Sequence, residues 1–261
     1  MVKLAANLTM MFTEVPFLDR FVKAAEAGFS AVEFLFPYAY PEKTIKDLLD
    51  KHDLKLALIN APAGDWDGGE RGFGACPGKE TAFRESVEQA LRYAKALECP
   101  RIHVMSGVTG EIKDRKACEA VWLSNLAWAA DEAKKVNISI SIEPLNSRDM
   151  PGYFLSHQDE ALDLIDRLGK DNVQLQFDTY HAQIMDGDIT RRIERLKGKY
   201  GHVQIASVPE RHEPDEGELN YDAVFAALDS VGFAGYLGCE YNPRGLTESG
   251  LDWAKPYLTR K

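Results

Sequence analysis

The sequence predicts a single α/β domain, a (β/α)8 barrel that spans residues 1–261. Short apolar runs alternate strictly with amphipathic helical segments, eight of each, and oxygen-bearing side chains stand at the ends of the later runs. Strict alternation gives parallel strands with helices outside, and eight units suit a closed barrel. A doubly wound open sheet is the alternative. Neither a GxGxxG motif after the first run nor a GxxxxGK(S/T) motif occurs, so its usual phosphate-binding turns are missing.

The first four units fill the chain up to residue 136. Strands are predicted at 3–10, 31–36, 54–59 and 101–105, and helices at 16–27, 41–52, 79–97 and 113–136. Pro16 at the start of the first helix and Gly28 just past its end are the usual helix boundaries. In the second helix Ile45 and Leu49 share one face, as a helix packed on a sheet requires. A loop rich in Gly and Asp, at 60–78, is long enough to serve as a lid.

The last four units follow the same pattern. Strands are predicted at 138–143, 173–178, 202–206 and 236–241, and helices at 158–168, 184–196, 221–231 and 247–257. In the first of these strands Ile138, Ile140 and Ile142 face one side and Glu143 faces the other, which is the period of two that a strand imposes. Successive strands are spaced like βαβ units, which take about 30 residues or more.

Four oxygen-bearing side chains end or nearly end these strands and point the same way: Glu143, Asp178, Gln204 and Glu240. Parallel strands bring their C-terminal ends to one face of a barrel, so these side chains are expected to form one site. Buried carboxylates are costly unless a cation or a reacting substrate compensates them. An all-oxygen set suits Mg²⁺ or Mn²⁺ rather than zinc. The structural alternative is that these groups only bond one another or the backbone.

Four other polar residues are candidates for substrate contact: His181, Arg71, Arg211 and His212. His181 lies just past the end of the sixth strand, where the alternative role is a hydrogen bond at the start of a helix. Arg71 lies in the long Gly-rich loop, and Arg211 and His212 lie in the charged segment after the seventh strand. The alternative for these three residues is that they belong to a solvent-exposed loop surface without a substrate role. Glu33 and His103 fall on the inward side of their strands, where an internal polar network is expected.

The net charge and the composition limit the classes of molecule that the protein is expected to bind. The formal net charge is −10, from 31 basic and 41 acidic residues, which argues against a nucleic-acid groove. An anionic substrate therefore needs a local basic pocket. The four cysteines form no CxxC pair, and no signal peptide or membrane span is recognised, so a cytoplasmic protein with reduced thiols is expected. A homo-oligomer is compatible with the sequence, although Trp122 and Trp253 are expected to pack between helices and barrel.

Five stretches resemble the hydroxypyruvate isomerase family: 6–12 (ANLTMMF), 32–38 (VEFLFPY), 178–183 (DTYHAQ), 201–206 (GHVQIA) and 238–243 (GCEYNP). The likeness runs from the first strand to the last helix. It implies a xylose-isomerase-like barrel with a divalent-metal site. The ligands would be Glu143, Asp178, Gln204 and Glu240. It also implies that Glu143 and Glu240 act as proton donor and acceptor through an enediolate, with the metal assisting.

Two reactions of this family are candidates. One converts hydroxypyruvate to 2-hydroxy-3-oxopropanoate (tartronate semialdehyde), and the other isomerises 2-oxo-tetronate, which is one carbon longer. Segments 65–72 and 143–146 look closer to the first enzyme and segment 209–215 to the second. The sequence favours hydroxypyruvate, with 2-oxo-tetronate as the alternative. A ketose epimerase, a metal-dependent apurinic-site endonuclease and a non-catalytic sugar-acid binding protein are the more distant alternatives.

Overall fold

The computed structural model describes residues 2–110 and 112–258, so Met1, Glu111 and residues 259–261 of the predicted domain lie outside the described residues. Eight parallel strands close into a barrel in sequence order, which confirms the predicted fold class. The strands are β1 Lys3–Asn7, β2 Ala31–Phe34, β3 Lys55–Asn60, β4 Arg101–His103, β5 Ser139–Ile142, β6 Val173–Asp178, β7 Tyr200–Ile205 and β8 Tyr236–Cys239.

Helices cover the outside of this barrel. They are α1 Arg20–Glu26, α2 Glu42–Lys51, α3 Glu80–Ala96, α4 Arg115–Lys135, α5 Gln158–Leu168, α6 Thr179–Met185, α7 Ile189–Arg195 and α8 Tyr221–Ser230. Among the described residues, none of these helices combines the length and hydropathy that a membrane crossing requires. Trp122 on α4 is fully buried against Phe83 of α3, with ring centroids 6.4 Å apart, so it packs between helices as expected.

The helix predicted at 184–196 is wrong in its extent. A helix already begins at Thr179, directly after β6, and the chain breaks between α6 and α7. Gly187 and Asp188 both adopt positive φ, 65° and 56°, in the left-handed region that interrupts a right-handed helix. The early start matters for the site, because it carries His181 on the first turn after the strand.

The last helix, predicted at 247–257, is also wrong. The structure has two short 3-10 turns there, Thr247–Gly250 and Asp252–Ala254. Pro256 offers no backbone N–H to a helix, and Gly250 is a weak helix former. A Cβ on Gly250 would lie 2.2 Å from the Glu213 carboxylate, so glycine here allows the segment to pack against the loop after β7.

The barrel interior is polar near the C-terminal ends of the strands. The ladder aligns Asn7 with Glu33 between β1 and β2, and Asp178 with Gln204 between β6 and β7. Two residues earlier on their strands, Ala5 and Ala31 join an apolar cluster that lies deeper in the barrel. Polar and ionisable side chains therefore lie together at the C-terminal end of the barrel, where (β/α)8 barrels carry their active sites.

Candidate active site

Three carboxylates from three strands meet at this end of the barrel. Glu143 directly follows β5, Asp178 ends β6 and Glu240 directly follows β8. Together with His181 they form a group whose candidate ligand atoms all lie within 4.8 Å of one another. Each of the four residues is at most 6% exposed. The structure therefore brings three of the four predicted oxygen ligands into one buried cluster.

Burial and mutual repulsion oppose the charge of this cluster. Burial raises the pKa of Glu143 well above its usual value, and the neighbouring charges of Glu240 and Asp178 add to this. Burial likewise raises the pKa of Asp178. Burial raises the pKa of Glu240 to about 8. Such values allow one carboxyl group to hold a proton while another is ionised near neutral pH, as acid–base catalysis requires.

Arg211 supplies the positive charge that faces these carboxylates. Its Nη2 atom lies 2.6 Å from Glu240 Oε2 and 3.8 Å from Asp178 Oδ2. The guanidinium also lies over the Tyr180 ring, 4.9 Å from the ring centroid. Burial lowers the pKa of Arg211, but the surrounding carboxylates outweigh burial and hold it above its usual value. The structure thus places this predicted anion contact inside the site.

The backbone at Arg211 is held in an unusual conformation. Its φ of 56° lies in the left-handed region, which is unfavourable for a long side chain. Three backbone hydrogen bonds fix this turn: the Arg211 amide to Ser207 O at 2.9 Å, the Ser207 amide to His212 O at 2.9 Å and the Asn242 amide to Arg211 O at 2.8 Å. The turn therefore aims the arginine inward and ties the loop after β7 to the loop after β8.

Arg244 clamps the same two loops, although no sequence motif marks this residue. It donates from Nε to the buried Glu213 carboxylate at 3.0 Å and from Nη2 to Asp215 at 2.7 Å. Its Nη1 atom lies 2.7 Å from Glu216. The charged segment after the seventh strand is therefore not a freely solvated loop. A pairing between residues so far apart in sequence cannot be read from local pattern.

His181 presents one defined nitrogen to the carboxylates. The backbone N–H of Asn146 donates to His181 Nδ1 at 3.1 Å, so this nitrogen must be the acceptor. Burial lowers the pKa of His181 well below its usual value, which leaves the ring neutral with its proton on Nε2. That nitrogen lies 3.6 Å from Asp178 Oδ2 and 4.0 Å from Glu143 Oε1. His181 Nε2 therefore offers the site a hydrogen-bond donor rather than a lone pair that could coordinate a metal ion.

Gln204 lies beneath the carboxylates with both ends of its amide engaged. Its Oε1 accepts a hydrogen bond from Gln176 at 2.6 Å, and its Nε2 donates to Glu33 at 2.9 Å. An amide oxygen has a second lone pair, so the bond from Gln176 does not prevent coordination. Its role as a metal ligand stays a prediction.

The donor set fits a divalent cation. Two buried oxygens that face the cluster, Glu143 Oε1 and Asp178 Oδ2, have no hydrogen-bond partner among the described residues. Unpaired buried oxygens of this kind are rare and call for a missing partner, such as an ion or a substrate. Hard oxygen donors suit Mg²⁺ or Mn²⁺, and a cation would also relieve the repulsion between the three carboxylates. The buried cluster can therefore hold a metal ion.

The two remaining candidates have structural contacts. Arg71 stacks on Trp66 at 3.8 Å from the ring centroid and donates to the carbonyl oxygens of Trp66 and Glu70 at 2.7 and 2.8 Å. His212 Nδ1 lies 2.7 Å from the Asn242 carbonyl oxygen. None of these contacts, within the part of the chain that the structure describes, reaches the carboxylate cluster. The substrate roles of both residues stay predictions.

Gly238 on β8 gives a direct test of the barrel interior. A Cβ at this position would lie 2.3 Å from both carboxylate oxygens of Glu33. We expect Gly238→Ala to destabilise the fold by about 1–3 kcal/mol through overpacking, which lowers Tm by about 2–4 °C per kcal/mol in a chain of this size. Gly245→Ala is the control, because no heavy atom of the described residues beyond its two chain neighbours lies within 4 Å of its added Cβ. Equal Tm values for the two variants in a thermal melt would contradict this packing.

Known proteins match this chain over most or all of its length. A family model described as Xylose isomerase-like TIM barrel matches residues 21–257. A 2-oxo-tetronate isomerase from Haemophilus influenzae is 50% identical over 257 residues, covering 98% of this chain and 100% of the relative. A hydroxypyruvate isomerase from Escherichia coli is 43% identical over 257 residues, with the same coverage. A crystal structure described as AP endonuclease, family 2, from Brucella melitensis is 56% identical, covers 100% of both chains and has a TM-score of 0.97.

Proposed function

Because the chain belongs to the xylose isomerase-like TIM barrel family, we propose that its carboxylate cluster isomerises a short hydroxy-oxo acid. The chain is an isomerase of the aldose–ketose type, like its named relatives. The observation that carries the proposal is the meeting of Glu143 and Glu240, buried and with raised pKa, inside one small cluster. Such a pair suits proton transfer between adjacent carbons of a bound substrate.

The two glutamates divide the proton transfer. One, as a carboxylate, removes the proton from the carbon that bears the hydroxyl group, and the bonding electrons form an enediolate. The other, as a carboxylic acid, returns a proton to the former carbonyl carbon, while the hydroxyl proton moves to the other oxygen. One C–H bond breaks and one forms, so the substrate and product are isomers. The raised pKa values of Glu143 and Glu240 allow the two protonation states to coexist.

Two further side chains, those of His181 and Arg211, stabilise negative charge on the substrate. The neutral His181 ring directs Nε2–H at the cluster, where it donates to the oxygen on which negative charge develops. Arg211 pairs with Glu240 through Nη2, and its fork geometry suits the carboxylate of an anionic substrate. A Mg²⁺ or Mn²⁺ ion held by the three carboxylates, with Gln204 as the further oxygen donor, would polarise the substrate oxygens.

Metal-free protein should lose stability as pH rises. The raised pKa values of Glu143, Asp178 and Glu240 mean that the folded chain binds more protons than the unfolded chain between about pH 5 and the Glu240 pKa of about 8. The free energy of unfolding therefore falls as pH rises through this window. Mn²⁺ should reduce the slope, since a cation favours the ionised carboxylates. Thermal melts across the window, with chelator or with Mn²⁺, measure this.

The control for that experiment is Glu240→Gln, which removes one of the titrating groups. In chelator its Tm should fall less steeply with pH than that of the unaltered protein. This comparison separates the cluster from the general repulsion of an acidic chain, whose formal net charge is −10. Parallel slopes for the two proteins, unchanged by Mn²⁺, would contradict a cation site built from these carboxylates.

Two substrates remain to be ranked. Segments 65–72 and 143–146 favour hydroxypyruvate, whereas the higher identity to the 2-oxo-tetronate isomerase, 50% against 43%, favours the four-carbon acid. The loop after β7, which resembles the four-carbon enzymes, also carries Arg211 into the site. Segment 143–146 also contains a reacting group, Glu143, so position in the site does not rank the two acids and the overall identity decides the order. On that basis we propose 2-oxo-tetronate as the first substrate and hydroxypyruvate as the second.

Steady-state kinetics on both acids test this ranking. We expect turnover of 2-oxo-tetronate with kcat/KM at least about tenfold above that for hydroxypyruvate, a discrimination within reach of one extra group in a pocket. The reverse ratio would assign the three-carbon reaction. Binding of either acid without turnover would indicate a binding protein instead. An abasic-site oligonucleotide is included as a third substrate, and its cleavage would overturn the proposed isomerase.

A further inference from the structure

Glu33 is a buried carboxylate to which the proposed reaction gives no task. It lies on β2, inside the barrel, and is 1% exposed. Its Oε1 atom accepts hydrogen bonds from Asn7 Nδ2 at 3.0 Å and from Gln204 Nε2 at 2.9 Å. Its Oε2 atom lies 2.6 Å from His202 Nε2. The carboxylate is thus enclosed by nitrogen atoms from β1 and β7.

These contacts fix which way the neighbouring amide groups face. Glu33 Oε1 accepts from the amide nitrogens of both neighbours, so Asn7 and Gln204 turn their NH₂ groups toward Glu33. The Gln204 oxygen then faces away from Glu33 and accepts from Gln176 Nε2 at 2.6 Å. The same Gln176 Nε2 atom donates to Glu143 Oε2 at 2.9 Å. A continuous chain of hydrogen bonds, here called the first arm, therefore joins Glu33 to Glu143 through Gln204 and Gln176.

A second, shorter arm leads to the other glutamate. The Nδ2 atom of Asn7, which donates to Glu33, also lies 3.4 Å from Glu240 Oε1. If Asn7 turned its oxygen toward Glu240, an acceptor would face a carboxylate and the bond to Glu33 would be lost. Asn7 Oδ1 also accepts from the Thr9 backbone N–H at 3.0 Å, so Glu33 and this turn together fix the direction of the Asn7 amide. Glu33 therefore influences the amide donors of both glutamates, through Asn7 toward Glu240 and through Gln204 and Gln176 toward Glu143.

The backbone of β8 makes room for this arrangement. Gly238 stands in the strand where a Cβ would approach both Glu33 oxygens to 2.3 Å. Glycine weakens a strand interior, and it commonly marks close approach by another group. The space over Gly238 is occupied by the Glu33 carboxylate, which is an observation independent of the hydrogen bonds.

We infer that Glu33 is a positioning residue that orients the amide groups of Asn7, Gln204 and Gln176 so that Glu143 and Glu240 each receive an amide donor. This inference rests on the proposed function for its effect on rate. Glu33 does not touch the substrate. Its effect falls on the turnover step, because the amide donors set the direction and the charge preference of the two carboxylates.

The test compares two substitutions of Glu33. Methionine has a similar size but no acceptor, so Glu33→Met should lower kcat by about 100-fold, within the range for a misplaced acid–base pair. KM should change less than about threefold, because the arginine and histidine contacts remain. Glutamine keeps one acceptor for Asn7 and Gln204, and its amide can donate to His202. Glu33→Gln should therefore recover at least about tenfold of the lost kcat.

Val32→Ala is the matched control. Val32 is the preceding residue on β2, is fully buried and points outward into the apolar core. Its truncation damages packing on the other face of the same strand, so Tm should fall while kcat stays within about threefold. A kcat for Glu33→Met within threefold of the unaltered enzyme, or equal losses in Glu33→Gln and Glu33→Met, would overturn the positioning role.

A second variant keeps the test decisive where Glu33→Met does not fold. Gln176→Met removes the donor to Glu143 and leaves Glu33 intact, and it should also lower kcat with little change in KM. A kcat within threefold of that of the unaltered enzyme overturns the arm to Glu143.

A readout that needs no turnover separates this inference from the proposed function. In protein labelled with ¹⁵N-glutamine, the side-chain NH₂ signals of Gln176 and Gln204 should be resolved and protected from hydrogen exchange. They should lose this protection in Glu33→Met, or in Gln204→Met for the Gln176 signal, but not in Val32→Ala. If Glu33→Met keeps the protection, the orienting role is overturned, whether or not the enzyme isomerises either acid. If Glu33→Met loses the protection but the unaltered protein turns over neither acid, only the proposed function is rejected.

Discussion

Glu143→Gln should lower kcat by about 10²–10⁴-fold, the usual contribution of a positioned acid or base. The change is nearly isosteric, and the structure accommodates it. Glu143 Oε2 accepts from Gln176, so the amide oxygen can take that place. The NH₂ group can occupy the position of Oε1, for which residues 2–110 and 112–258 provide no hydrogen-bond partner. The NH₂ group also cannot coordinate a cation, so turnover of 2-oxo-tetronate is measured in saturating Mn²⁺, where the remaining loss reports on proton transfer.

Substrate binding should survive in this variant. Calorimetric titration of Glu143→Gln with the acid is expected to give a Kd near the KM of the unaltered enzyme, which separates catalysis from binding. Glu210→Gln is the control, because Glu210 is an exposed acid in the loop after β7. Retained turnover in Glu143→Gln would remove this glutamate from the proton transfer and leave it as a structural or metal-binding group.

Arg211→Met should give the second large effect, a fall in kcat/KM of about 10²-fold or more, carried mainly by KM. The guanidinium is the cationic group that the structure places against Glu240 and Asp178, so its loss removes the contact for the substrate carboxylate. It also leaves buried carboxylates without a partner, which typically costs about 3–5 kcal/mol. Steady-state kinetics and thermal melts in chelator measure both consequences.

Arg211→Lys separates charge from geometry. Lysine keeps the positive charge but not the fork of donors, so it should restore Tm more fully than kcat/KM. Arg191→Gln is the control for net charge, because Arg191 has an exposed side chain on α7 and an ion pair with Glu194 at 3.0 Å. Unchanged kcat/KM in Arg211→Met would place the substrate carboxylate elsewhere.

The barrel and the end that carries the carboxylate cluster were predictable because they follow from periodicity. Strand residues that alternate between apolar and polar, such as Ile140, Ile142 and Glu143, report which face is buried and which faces the interior. The rule that parallel strands share a C-terminal end then collects Glu143, Asp178 and Glu240 without knowledge of any contact. The structure brings these three into one cluster.

Features that depend on partners distant in sequence were not predictable. The clamp between Arg244 and Glu213 joins two loops, and no local pattern distinguishes this arginine from a surface one. Gln204 carried a sequence signal, but its hydrogen bonds to Gln176 and Glu33 depend on the register of β2, β6 and β7. The predicted last helix is absent, and Pro256 was a local signal against it that the alternation of strands and helices outweighed.

Proton NMR of the purified protein with 2-oxo-tetronate or hydroxypyruvate in D₂O tests the central claim most directly. An enediolate formed by glutamate acid–base chemistry should give the isomerised acid with solvent deuterium on the carbon that receives the proton. We expect this product from the four-carbon acid, with chelator lowering the rate and Mn²⁺ restoring it. Conversion of neither acid by metal-loaded protein, with both spectra unchanged, would contradict the assignment of Glu143 and Glu240 to proton transfer on these substrates.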